Sequence, residues 1–170
     1  MSSFHKTPST NSYWAEFLGA TSAIGADYTV VAIGNTAAMA DELLVLVLSG
    51  RKRATTSLLL EYASGVETVP QEGGYVVVID GNGQPKCIWR TTEIIVKPFV
   101  EVDDAFAWDE GEGDQTRAWW LSAHRKYFSA QAQREGFEMC DTIETVFERF
   151  EVVWPPGVAD PLRTAKAHRL

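Results

Sequence analysis

The 170-residue sequence has little cysteine: Cys87 and Cys140 stand far apart, and neither has a Cys or His neighbour at metal-ligand spacing. That excludes a disulfide framework and a zinc site, and implies two reduced thiols packed as small apolar groups. No apolar run reaches membrane-spanning length, and the N-terminus MSSFHKTPSTNS lacks the charged-then-apolar layout of a secretory signal. The expectation is a soluble cytoplasmic protein with no membrane partner. Positive charge is also short, with 15 Lys+Arg against 23 Asp+Glu, a net charge of −8 and a pI near 4.9. Sequence-independent binding of long double-stranded DNA depends on cations that displace counterions from phosphates, so this chain is a poor general polyanion binder. Two local basic runs, Arg51 to Arg53 and His124 to Lys126, are the exceptions, and either also suits a solvated face. Phosphate-loop patterns are missing as well. Gly73-Gly74 and Gly81-Asn82-Gly83 fit neither G-x-G-x-x-G nor G-x-x-x-x-G-K-[ST], and read as turn glycines.

What is present suffices for one core. At this length, 45% apolar and 11% aromatic residues support a single domain. The first dozen residues are rich in Ser, Thr and Asn, and the stretch from Pro155 holds three prolines. Both are expected as tails, over 1–12 and 155–170, on a body spanning 13–154.

Within the body, Trp14, Phe17 and Leu18 share one helical face over Ser12 to Gly19. Met39, Leu43, Leu44, Val47 and Leu48 do so over Ala37 to Ser49, and Gly50 stops that helix. Gly74 to Ile79 and Pro85 to Val96 read as strands joined by an Asp80-Gly81-Asn82-Gly83 hairpin turn. Strict alternation along the second puts Cys87, Trp89, Thr91, Glu93 and Ile95 on one face. Trp120, Ala123, His124, Tyr127 and Phe128 form the stripe of a long helix from Asp114 to Gln133, and Thr142 to Trp154 is β-prone. Helices inserted among antiparallel strands make the class α+β.

Two segments carry chemistry. In Gly50-Arg51-Lys52-Arg53-Ala54-Thr55-Thr56-Ser57 an ammonium and a hydroxyl lie three residues apart just beyond a helix end. On a straight strand they point to opposite faces, so they cooperate only across a bend. A lysine whose pKa is lowered by burial, or by Arg51 and Arg53, could take a proton from Thr55 or from water. The same lysine would equally complement the helix dipole. In Trp108-Asp109-Glu110-Gly111-Glu112-Gly113-Asp114 four carboxylates and two glycines are interleaved. Such a cluster shares protons or holds a hard cation, although Asp114 also suits a helix cap. His124 shares the apolar stripe with Trp120 and Phe128, where a histidine commonly serves as a hydrogen-bonded core residue.

In order along the chain, SGRKRATTSLL, VVVIDGNGQPKCIWRTTEI, Val96-Lys97-Pro98-Phe99, EGEGD and the W-x-x-x-H-x-x-x-F helix resemble the ASCH family over about Tyr13 to Trp154. The resemblance is to a bacterial subgroup that carries EGEGD, from which Ile33-Gly34-Asn35 departs by lacking a flanking aromatic and acidic residue. It implies a small, mixed, mostly antiparallel β-barrel of the PUA type with surrounding helices. It implies a cleft at the G-x-K-x-x-T segment acting on RNA or a modified nucleoside. By similarity to amidohydrolases of N-acylated cytidine, Lys52, Thr55 and Glu110 would be catalytic, with Arg53, Thr56, Arg90, Glu112 and His124 contacting substrate. No cofactor or bound metal is expected in that scheme. Two alternatives stay open: a ribonuclease using Lys52, Arg90 and a divalent cation on Glu110, Glu112 or Asp114, and a non-catalytic RNA-binding module. The oligomeric state is left open by the sequence.

Overall fold

The computed structural model describes residues 2–160 apart from 24, 64, 66 and 67. Along the chain run β1 (Ser2–Phe4), α1 (Pro8–Ala20), β2 (Tyr28–Ala32), α2 (Ala37–Leu48), β3 (Ala54–Leu58), β4 (Tyr75–Ile79), β5 (Pro85–Pro98), α3 (Asp104–Glu110), α4 (Arg117–Glu135) and β6 (Glu144–Trp154). Short 3-10 turns follow β3 and β5. The strands join in one curled sheet in the order β1-β2-β4-β5-β6-β3, with β2 and β4 parallel and every other pair antiparallel. The α+β class and the mostly antiparallel, barrel-like sheet are as the sequence implies.

Period-two alternation sorts the core onto the two faces. The inner face carries Val31, Val76, Val78, Cys87, Trp89, Phe150 and Val152, which pack against Leu44 and Val47 of α2. The outer face carries Val30, Ala32, Val77, Ile79 and Ile88 under Trp14 and Phe17 of α1. Farther along the same outer face, Ala54, Leu58 and Phe147 are covered by Phe106 of α3 and by Trp120 and Phe128 of α4.

Three expectations are corrected. Residues 2–12 are ordered: Ser2 to Phe4 pair with Val30 to Ala32, and α1 starts at Pro8. Pro8 at the first helical position and a Thr7–Thr10 capping box make that start, which a polar composition conceals. At the other end, Pro155 to Asp160 fold back, because Asp160 accepts from the Val152 N–H at 2.8 Å and pairs with Arg53. The remaining tail, 161–170, lies outside the described residues. Third, β5 does not keep one phase. Thr91 pairs with Phe150 but Glu93 with Arg149, so a β-bulge moves Glu93 and Ile95 to the outer face and brings Ile94 and Val96 inward. The cysteines also differ from each other: Cys87 is buried, and burial pushes its thiol up to about 12, whereas Cys140 is exposed.

Candidate functional site

Backbone geometry around α2 and α3 builds the site. Gly50, at φ 83°, turns the chain out of α2, and the Lys52 N–H donates back to the Leu46 carbonyl at 3.0 Å. Next, the Arg53 N–H donates to Asp109 O of α3 at 2.7 Å. The two motif segments are thereby fixed side by side. Gly111 ends α3 at φ 73°, and a Cβ there would lie 2.3 Å from Arg51 O. Gly113 lies so close to Trp119 that a Cβ would sit 2.1 Å from the indole. The alternation of Glu and Gly thus has a physical cause: each glycine permits a close approach, and each intervening carboxylate is aimed at the same lysine.

Lys52 and Glu110 are each only 1% exposed. Lys52 Nζ donates to Glu112 Oε1 at 2.6 Å and to the Glu110 carbonyl at 3.3 Å, and stands 3.6 Å from Glu110 Oε1. Glu110 Oε1 also accepts from the Thr56 hydroxyl at 3.0 Å. Its Oε2 takes the Trp120 indole N–H and lies 3.2 Å from His124 Nε2. His124 Nδ1 meets the Trp120 carbonyl at 3.1 Å, one helical turn back. Both ring nitrogens face acceptors, so the imidazolium is the form that satisfies both contacts. Its ring stacks on Trp120 with centroids 4.0 Å apart.

The electrostatics follow from burial opposed by pairing. Burial alone would neutralise each group. For Glu110, His124 and then Lys52 overcome that penalty and hold the carboxyl below its usual range. For His124, desolvation is outweighed by Glu110, so the imidazole is held above its ordinary value. For Lys52, Glu110 and Glu112 outweigh burial and keep the ammonium. This corrects the expectation of a lysine base. Arg51 and Arg53 do not press on Lys52: Arg51 donates to Gly113 O at 2.6 Å, and Arg53 donates to Val47 O and Lys52 O and pairs with Asp160.

Thr56, Glu110, Glu112 and His124 of this cluster line a cleft of about 230 Å³, with Lys52 buried behind them; its other walls include Ile33, Gly34, Met39 and Tyr127. Lys52, Thr56, Glu110, Glu112 and His124 therefore meet as the sequence implies. Thr55 lines the same cleft but lies on the inner face of β3, and among the described residues no hydrogen bond holds its hydroxyl. Arg53 is corrected from substrate contact to a brace for the C-terminal segment. Arg90 is corrected too: it is 45% exposed beside Glu151, outside the cleft, because its register places it opposite Glu151, whereas Thr56 of the cleft pairs with Phe147 farther along β6. Asp114 accepts from the N–H and hydroxyl of Thr116, the true N-cap of α4. Trp120, read as part of the apolar stripe of its helix, is a direct donor to Glu110; its spacing four residues before His124 is the signal for that. Glu110, Glu112 and His124 bring possible ligand atoms within 4.8 Å of one another, but the two carboxylates are already balanced by Lys52 and the His124 imidazolium.

With geometry in place, comparison settles the class. The ASCH domain profile matches residues 29–154, and the chain belongs to the ASCH domain family. It is similar to the crystal structure of an ASCH domain from Lactobacillus crispatus JV V101, at 30% identity and TM-score 0.77, covering 85% of this chain and 94% of that one. It is also similar to a protein of known crystal structure from Enterococcus faecalis V583, at 32% identity and TM-score 0.74, covering 84% and 86%. No curated protein gives a significant match. Among the described residues no helix is long and apolar enough to cross a membrane.

Proposed function

We propose that this chain hydrolyses the amide of an N-acylated pyrimidine nucleoside, with N-acylated cytidine as the type substrate. The observation that carries the reading is Glu110: a buried carboxylate held by Lys52, His124, Thr56 and Trp120 in the wall of a cleft. At about 230 Å³ the cleft is smaller than the roughly 300–1,000 Å³ of drug-sized sites, which suits a base with its acyl group and not a long polymer. A mononucleoside also needs no basic surface, in keeping with a net charge of −8.

The protonation states assign the roles. The Lys52 ammonium, buried just behind the cleft wall, stabilises the oxyanion by its charge. Water, oriented by the Thr55 hydroxyl, adds to the acyl carbon and gives its proton to Glu110. A carboxylate kept this acidic accepts that proton only as the oxyanion forms at Lys52. The C–N bond then breaks, and the leaving amine takes a proton from the His124 imidazolium. Proton return from Glu110 to His124, across their 3.2 Å contact, resets the site.

Incubation with N4-acetylcytidine, following cytidine and acetate by chromatography, tests the reading. Turnover should be lost in Glu110→Gln; complete recovery of substrate at high enzyme concentration would overturn it. The ribonuclease alternative loses one of its two cations, since Arg90 stands outside the cleft. RNA binding without catalysis is supported by family membership. It predicts saturable binding of a loop RNA, with a salt slope of only a few phosphates and no turnover of the amide.

A further inference from the structure

The inner face of the sheet changes character from one end to the other. Where α2 packs, the face is apolar, through Val78, Trp89, Phe150 and Val152. Toward the other end it carries Thr29, Thr91 and Glu148 beside Val31 and Val76, which line a separate cavity of about 500 Å³. Glu148 is 2% exposed, and its row-mates on β6, Val146 and Phe150, are apolar. Its Oε1 accepts from the Thr91 hydroxyl at 2.6 Å, and among the described residues no basic side chain forms an ion pair with it. Burying a carboxyl without a cation costs stability, and its polar partners on this face, among the described residues, are the Thr91 hydroxyl and the Trp89 indole.

We infer that this cavity is a second binding compartment, in which Glu148 recognises a heterocycle bearing a ring nitrogen next to an exocyclic amine. A lone carboxyl is a poor site for a hard cation, which needs about six oxygen ligands. An anionic group would be repelled by the ionised form. A flat aminopyrimidine edge fits instead: the amine donates to one carboxyl oxygen, while the ring nitrogen shares a proton with the other. Burial raises the Glu148 carboxyl to about 7, against the pull of Thr91 and then of the Trp89 side chain, so near neutrality the proton needed for that sharing is at hand. Val31 and Val76 supply apolar surface for the ring faces, and the volume lies within the range of small-molecule sites.

Placement connects this compartment to the cleft. Glu148 is the cross-strand partner of Thr55 on the inner face, so one residue pair separates the two cavities. The inference rests on the proposed activity only in the choice of cytidine as probe. The test is a titration of the full chain with cytidine, and in parallel uridine, followed by backbone amide shifts. Shifts should centre on Thr29, Val76, Thr91 and Glu148, and cytidine should bind more tightly than uridine, whose carbonyl oxygen is a weaker acceptor of the shared proton than the cytosine ring nitrogen. Glu148→Leu should weaken cytidine at least about tenfold, while Glu148→Gln, which keeps a donor and an acceptor, stays within about threefold of the parent. Shifts confined to Thr56, Glu110 and His124, no shifts at all, or equal affinity in Glu148→Leu would each overturn the inference. Should Glu148→Leu not fold, the shift map and the uridine comparison on the unaltered chain decide alone. Binding here without turnover of N4-acetylcytidine would sink the proposed hydrolysis and leave this compartment standing.

Discussion

His124 Nε2 and Glu110 Oε2 face each other across 3.2 Å in the interior, each held in its charged form by the other. This pair gives stability a two-sided pH dependence. His124 is raised above its usual 6.5, so its contribution is complete below 6.5 and fades as pH climbs through the folded value. Glu110 is lowered from 4.5, so its contribution is complete above 4.5 and fades as pH falls through the folded value. Urea melts should therefore show the pair's full effect between about 4.5 and 6.5, and His124→Gln should flatten the alkaline limb.

Lys52→Met would leave Glu110 and Glu112 without their buried cation. A loss of about 3–5 kcal/mol is expected, as for other half-broken buried pairs, along with loss of turnover. Chemical denaturation measures the first and the N4-acetylcytidine assay the second. Stability within about 1 kcal/mol of the parent would mean that the two carboxylates protonate at little cost.

Neighbouring threonines should behave oppositely. Thr56→Val deletes the hydroxyl bonded to Glu110 and should cost about 1–2 kcal/mol. Thr55→Val deletes a hydroxyl that holds nothing, so its melting curve should stay close to the parent's while turnover collapses. Equal activity in Thr55→Val would remove Thr55 from the scheme.

Gly113→Ala should destabilise, because its Cβ would be driven into the Trp119 ring and its φ is 51°. The backbone alone accounts for about 1–3 kcal/mol. Thermal melts register that loss, and turnover should fall with it as Glu112 is displaced from Lys52.

Glu148 predicts a slope of the other kind. A carboxyl raised from 4.5 to about 7 weakens the fold as pH rises through that interval, by roughly 3 kcal/mol. Glu148→Gln should abolish this decline in melts taken between pH 4.5 and 7.

Much of this was legible before any coordinates. The periodicity of α2 and α4, the Asp80 to Gly83 hairpin and the meeting of Lys52 with Glu110 follow from spacing and family resemblance. What was hidden depended on strand phase and register. Whether Thr55 or Thr56 reaches Glu110 turns on which face of β3 is outward, and a five-residue strand of buried residues gives no alternation to read. Arg90 was misplaced because its register against Glu151, and not its face, sets its distance from Thr56, which pairs with Phe147. Glu148 did leave a trace: it is the one carboxylate in the row Val146, Glu148, Phe150, Val152. The protonation of Lys52 was not legible, since it depends on two carboxylates about sixty positions away in the chain outweighing burial.

The backbone stitch from Arg53 to Asp109, with Arg51 tied to Gly113, makes α2 and α3 a single frame. A frame held by one main-chain and one guanidinium hydrogen bond resists the closing motions by which many enzymes adapt to varied substrates. Under the proposed hydrolysis, selectivity at this cleft would come from exclusion at a fixed entrance. Enlarging the range of accepted acyl groups should then come from trimming Met39 or Leu43 on the facing wall, leaving the charged cluster untouched.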